Sequence, residues 1–274
     1  MSYSTARPKS YSVIYGGSSQ LNPAVVARNL RQLAHHLRGL LERDSYDRLM
    51  EVAIDVQSFR PLRGRLRSRQ PPWEVLIDQQ NPIRFTPSEI DPRLAPDIFC
   101  DIAGPVDDGW PLSKQRLVIR IWSVHKNLSF RSEWDCDRVS RLLSERAPPE
   151  RVILRCHFDR ASIYQEAPLF HLQIGGRPQE QEKELCWFPE EVDLPRLLYP
   201  PVDLVLASEL VVANFFPSAF RKLQNTPQWV SLINDAESFL LREFYDRCYR
   251  TCNRAIKGTV LGSLWQRPLP KKFE

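Results

Sequence analysis

The sequence predicts an α+β fold: an antiparallel β-meander over about residues 116–188, packed against C-terminal helices, with a basic helical N-terminal region ahead of it. Three observations predict this. Strand-like runs cluster mid-chain at 116–125 (RLVIRIWSVH), 151–159 (RVILRCHFD), 168–175 (PLFHLQIG) and 184–188 (ELCWF). Helical periodicity lies before and after that cluster. No regular strand–helix–strand alternation links the two, so strands and helices are segregated. The expected division is 1–72, basic and mainly helical, and 73–274, an α+β core with C-terminal helices, unless the two form one continuous domain.

Residues 1–20 are polar and Gly/Ser-rich and read as a loosely held arm. Asn22-Pro23 opens a helix, with Asn as cap and Pro at the first helical position. Val26, Leu30, Leu33, Leu37 and Leu41 recur at helical spacing to about residue 43. Residues 46–58 fit a helix or a strand equally well. Residues 73–79 and 82–86 read as short strands. Residues 87–115, rich in Pro and Asp, read as loop with room for one strand near DIFCDIA. Ser132–Glu145 reads as a helix that Pro148-Pro149 ends. After Tyr199-Pro200-Pro201, a helix to about Phe216 is apolar nearly all round and should be buried, with Pro217 stopping it. A last long helix spans about 227–255.

The chain has 274 residues and a mass of 32.0 kDa, with 42% hydrophobic and 26% charged residues, a globular composition. No apolar run reaches the ~20 residues a membrane span needs. The N-terminus has no apolar signal core, so a cytoplasmic location is expected. Six cysteines, none in a CxxC pair, fit reduced thiols.

The net charge of +5 hides an asymmetry. Residues 1–72 carry 12 Lys+Arg against 5 Asp+Glu, residues 73–216 carry 16 against 23, and residues 217–274 carry 10 against 5. Basic ends flanking an acidic middle suit a polyanion partner, or one segment docking on another. Of the 38 basic residues 30 are Arg, the residue that pairs planar phosphate and stacks on bases, although high genomic GC content gives the same skew. The densest run, 60–72, holds Arg60, Arg63, Arg65, Arg67 and Arg69 and no acid. These five arginines, extended by Arg28, Arg31 and Arg38 on the first helix, are the expected nucleic-acid contacts. They would meet phosphates without base specificity, so DNA and RNA are not distinguished.

A second constellation lies on the 151–159/168–175 hairpin. Leu154, Cys156 and Phe158 alternate with Arg155, His157 and Asp159, as do Phe170, Leu172 and Ile174 with His171 and Gln173. Val152 extends the first apolar set. Side chains alternate faces along a strand, so burying both apolar sets together puts Arg155, His157, Asp159, His171 and Gln173 on the other face. One register sets His157 opposite His171 and Arg155 opposite Gln173. Two imidazoles and a carboxylate can hold a divalent metal. Two imidazoles can instead share acid–base work on a phosphodiester, with Arg155 on the developing charge. Arg155 and Gln173 can also simply bind an anion. A polar face with its hydrogen bonds satisfied is the bland alternative. The two-histidine phosphoesterase pattern HxT/HxS is absent, as are HExxH, GxSxG, GxxxxGK[ST] and GxGxxG. Gly175-Gly176 reads as a turn rather than a phosphate cradle.

A helix, a short meander, the Tyr199-Pro200-Pro201 turn and then helices together resemble the layout of the ubiquitin-conjugating (E2-like) family over about residues 134–216. The resemblance is one of order, not motif. The family's catalytic cysteine is expected soon after the Pro-rich turn, whereas the next cysteine here is Cys248, so no site residue is carried over.

The expectation is a binding protein that contacts nucleic acid or a nucleoprotein assembly. A hydrolase or phosphodiesterase centred on His157, Asp159 and His171 is the second possibility. An adaptor subunit that docks on protein partners in a larger complex is the third.

Overall fold

The computed structural model describes residues 22–59, 71–105, 109–123, 151–162, 165–175, 195–253 and 257–266. The arginine tract 60–69, the helix expected at 132–145 and the strand expected at 184–188 lie outside these residues.

Helices and an antiparallel sheet give the α+β fold. Asn22 caps α1 (Pro23–Leu37), its Oδ1 accepting from the Val25 N–H at 3.0 Å, a contact worth about 1 kcal/mol against alanine. The segment of undecided type is helical: α2 (Arg43–Ser58) buries Leu49, Val52, Ala53 and Val56. Its outward positions Asp44, Asp47, Glu51 and Asp55 are exposed.

The strands are β1 (Glu74–Ile77), β2 (Ile83–Arg84), β3 (Leu94–Ala103), β4 (Lys114–Ser123), β5 (Arg151–Arg160), β6 (Ala167–Pro168), β7 (Phe170–Ile174), β8 (Leu197–Leu198) and β9 (Trp265–Gln266). The main sheet runs β1-β3-β4-β5-β7-β8, with β2 also paired to β3, and β6 pairs with β9 apart from it. The meander therefore begins some forty residues earlier than expected. β3, ten residues long and interior to the sheet, is the one strand allowed near DIFCDIA in a stretch otherwise read as loop. Pro96 is tolerated because it lies opposite Phe85, just past the end of β2, and supplies only its carbonyl to the Phe85 N–H at 3.0 Å.

One face of this sheet carries Val75, Ile77, Ile98, Cys100, Ile102, Leu117, Ile119, Ile121 and Phe158 into the core. The helices that cover it are α1, α2, α3 (Leu204–Phe215), α4 (Pro217–Leu223) and α5 (Pro227–Cys252). A short α6 (Val260–Ser263) follows. The core is continuous across residue 72: Leu30 and Leu33 of α1 share it with the sheet and with Leu232 of α5. Tyr199-Pro200-Pro201 delivers the chain to α3, whose cap is Asp203, accepting from the Leu206 N–H at 3.0 Å. Pro217 ends α3 and also starts α4. Among the described residues no helix is long and apolar enough to cross a membrane.

Candidate functional site

The face of the sheet turned away from the helices is polar, and the hairpin parity read from the sequence is what makes it so. Cys156 pairs with Ile174 and Phe158 with Leu172 on the helix side. Arg155, His157, Asp159, His171 and Gln173 share the opposite face. The register itself differs by two residues from the expected one. His157 lies opposite Gln173, and Asp159 opposite His171. A slip of two keeps every side chain on its face, so only the partners change. The loop sets the register. The Ala161 N–H donates to the Leu169 carbonyl at 2.7 Å, and His171 Nδ1 lies 3.0 Å from the Pro168 carbonyl oxygen.

The two imidazoles are therefore diagonal rather than opposed. Among the described residues no group of three or more His, Cys, Asp or Glu side chains is placed to hold a metal ion. A second difference comes from a bulge where the β4–β5 register shifts between Ile121 and Trp122. Val152 pairs with Trp122 and joins the polar face, against the alternation that groups it with Leu154.

Two clusters occupy this face. At the β3–β4 end, Asp97 is fully buried. Its Oδ1 accepts from Arg120 Nε at 2.8 Å and its Oδ2 from Arg120 Nη2 and Trp122 Nε1, both at 2.7 Å. The Arg120 guanidinium lies between the Phe99 and Trp122 rings, 4.8 and 5.0 Å from their centroids. Burial pushes the Asp97 carboxyl up, while these donors hold it down. Nothing in the sequence pattern marks Asp97, twenty-three residues from its arginine.

At the β5–β7 end, Arg155, His157 and His171 are buried, while Asp159 and Gln173 are half-buried. His157 Nδ1 is 3.9 Å from Asp159 Oδ2, too long for a hydrogen bond. His157 Nε2 and Asp159 Oδ1 are buried without any hydrogen-bond partner. Burial, reinforced by Arg155 and Arg116, lowers His157 to about 3. Burial raises Asp159 to about 6, against the pull of Arg116, Arg155 and Arg196. Burial also lowers His171, with the Pro168 carbonyl opposing and Arg196 adding to the shift. Burial thus holds both imidazoles below the ordinary histidine range.

Arg116 and Arg196 are the residues missed here. Arg116 lies directly opposite Asp159 on β4. It continues the Arg120–Trp122 alternation by four residues, a signal the sequence does hold. Asp101, opposite Arg116 on its other side, is instead paired with Lys114 at 2.5 Å. Nothing in the pattern around Arg196 points to the site.

The basic N-terminal surface is the other candidate. Arg28, Arg31 and Arg38 form with His35 a stripe at heptad spacing on the outer side of α1. Arg28 and Arg38 are exposed and Arg31 is half-buried. Arg31 donates to the Gln57 side chain, and the Arg38 guanidinium sits 5.4 Å from the Tyr46 ring centroid. None of the three arginines has a carboxylate within ion-pair distance among the described residues. Comparison of the chain with family models, curated proteins and solved structures finds no match to it.

Proposed function

We propose that this chain acts by binding a polyanion, with nucleic acid as the partner, through the arginines of α1 together with the Arg-rich tract at 60–72. One observation carries the reading. α1 contains no acidic residue, and among the described residues no carboxylate lies within ion-pair distance of Arg28, Arg31 or Arg38. The chain leaves α2 at Ser58 and runs directly into the tract holding Arg60, Arg63, Arg65, Arg67 and Arg69. The acidic outer stripe of α2 (Asp44, Asp47, Glu51 and Asp55) repels a polyanion on that side, so the approach is over α1.

Each phosphate neutralised releases counterions, so affinity should fall steeply with salt. Fluorescence anisotropy with labelled single- and double-stranded oligonucleotides across a salt series tests this. The expected log–log slope is steep and becomes shallower when the five tract arginines are changed to Gln. Affinity that is flat in salt, or unchanged by that replacement, refutes the reading. Pull-down after nuclease treatment separates the adaptor alternative, because a protein partner would survive it.

A further inference from the structure

Two of the six cysteines, Cys248 and Cys252, lie one turn apart in α5. Residues four apart share a helix face, with Cβ atoms about 5–6 Å from each other. Both thiols are free; Cys252 is exposed and Cys248 is half-buried. The spacing is too wide for a disulfide, which needs Cβ atoms roughly 3.5–4.5 Å apart. It leaves room for a single ion between the two sulfurs. Helix ends usually fray, which would blur such a spacing, but this one is tied down. The Thr251 hydroxyl donates to the Arg247 carbonyl at 2.9 Å and lies 3.2 Å from Ser263 Oγ, and Arg247 Nε donates to the Ser263 carbonyl at 3.3 Å. Asn253 Nδ2 donates to the Tyr249 carbonyl at 2.9 Å. The last turn of α5 is thus braced against α6 while Cys252 stays open to solvent. Ligand type and number decide what can enter. Thiolates are soft donors that select Cu(I), Zn(II) or iron–sulfur clusters. Zn(II) and the clusters ask for four ligands, and among the described residues no group of three or more His, Cys, Asp or Glu is placed to hold a metal. Cu(I) is satisfied by two sulfurs.

We propose that Cys248 and Cys252 form a two-thiolate site for a cuprous ion on the C-terminal turn of α5. Each thiol gives up its proton as its sulfur bonds the ion, so one Cu(I) enters, two protons leave and no electron is transferred. The site goes beyond the polyanion reading and uses no group of α1 or of residues 60–72, so either can fail alone.

Anaerobic titration of the full, reduced chain with Cu(I), in competition with the chromogenic chelator bathocuproine disulfonate, tests it. The unaltered chain should withdraw a tightly held ion from the chelator. Cys248→Ser and Cys252→Ser each turn a chelate into a single bond, and each should weaken that binding about a hundredfold or more. The double variant should be little weaker than either single one. Cys156→Ser, at a half-buried position on β5, should hold copper as the unaltered chain does. Copper withdrawn by none of these proteins overturns the proposal, as does copper held equally by the unaltered chain and the double variant, or lost equally in Cys156→Ser. Zn(II) held as tightly as Cu(I), and lost in the same variants, also overturns it, because that means a site with further ligands. An intrachain disulfide between Cys248 and Cys252 after mild oxidation, read by mass spectrometry, overturns the spacing on which the site rests. If Cys248→Ser does not fold, Cys252→Ser at its exposed position still decides.

Discussion

Two ends of one sheet face treat buried charge in opposite ways. At the β3–β4 end, Asp97 takes three donated hydrogen bonds, and Arg120 is held between two aromatic rings. At the β5–β7 end, the half-buried Asp159 has one oxygen unpartnered, beside the His157 imidazole with an unpartnered nitrogen. The chemistry of the side chains is similar, and the strands are neighbours. The difference lies in completion. A buried ion pair offsets its desolvation only when its remaining donors and acceptors are met. The Asp97 cluster meets them from within the chain and so belongs to the fold. At the other end His157 Nε2 and Asp159 Oδ1 stay unmet, so burial there costs more than it returns.

The sharpest way to break this comparison is to remove one carboxylate at each end. Asp97→Ala leaves the Arg120 guanidinium buried without its counter-charge and should cost about 3–5 kcal/mol, read as a lowered urea midpoint. Asp159→Asn at neutral pH removes a half-paired carboxylate and should leave stability unchanged or raise it. If Asp97→Ala costs no more than Asp159→Asn, the two ends are not different in kind.

Acid titration sharpens the same contrast. Asp159 sits at about 6 in the folded chain against an ordinary 3.8. The folded state therefore takes up a proton before the unfolded state does. Asp159 opposes folding above pH 6, and this opposition is relieved as pH falls towards 4, by at most about 3 kcal/mol at 1.36 kcal/mol per unit. His157 works in the other direction. Its folded value of about 3 lies below the ordinary 6.5, so its contribution is complete above 6.5 and is lost as pH falls. Because His157 is common to both proteins, the difference between the wild-type chain and Asp159→Asn isolates the carboxylate. Urea unfolding at several pH values should show that difference shrinking from pH 7 to pH 4. A difference that does not vary with pH places Asp159 in ordinary solvent.

What was legible in the sequence was parity, and what was hidden was register. Leu154, Cys156 and Phe158 against Phe170, Leu172 and Ile174 is a period-two signal, and it puts Arg155, His157, Asp159, His171 and Gln173 on one face. A two-residue slip leaves that signal untouched, so the pairing of His157 with Gln173 was not readable from it. The bulge near Trp122 adds one residue and turns Val152 over, and no residue type announces it. Asn22 was readable as a helix cap because capping is local, within three residues. Asp97 was not, because the arginine that makes its burial tolerable is on another strand. α2 was ambiguous in period, and its type is settled by packing against α1, which is a tertiary effect.

The smallest expected effect comes from the arginines the fold does not use. Arg28, Arg31 and Arg38 lie on the outer side of α1, so changing each to Gln should shift stability by no more than about 0.5 kcal/mol per position. Arg120→Gln, a change of the same chemistry, breaks the buried pair and should approach the cost of Asp97→Ala. On the polyanion reading the triple α1 variant should nonetheless bind oligonucleotide more weakly, with a salt slope shallower by about 2–3, one phosphate contact for each arginine removed. Stability held and slope reduced is the signature of charge placed for a partner. Stability lost with slope unchanged would mean that Arg31's bond to Gln57 and Arg38's contact with Tyr46 are their whole purpose, which is to clamp α1 to α2. The circular-dichroism melting curve and the anisotropy series, run on the same preparation, separate these two outcomes.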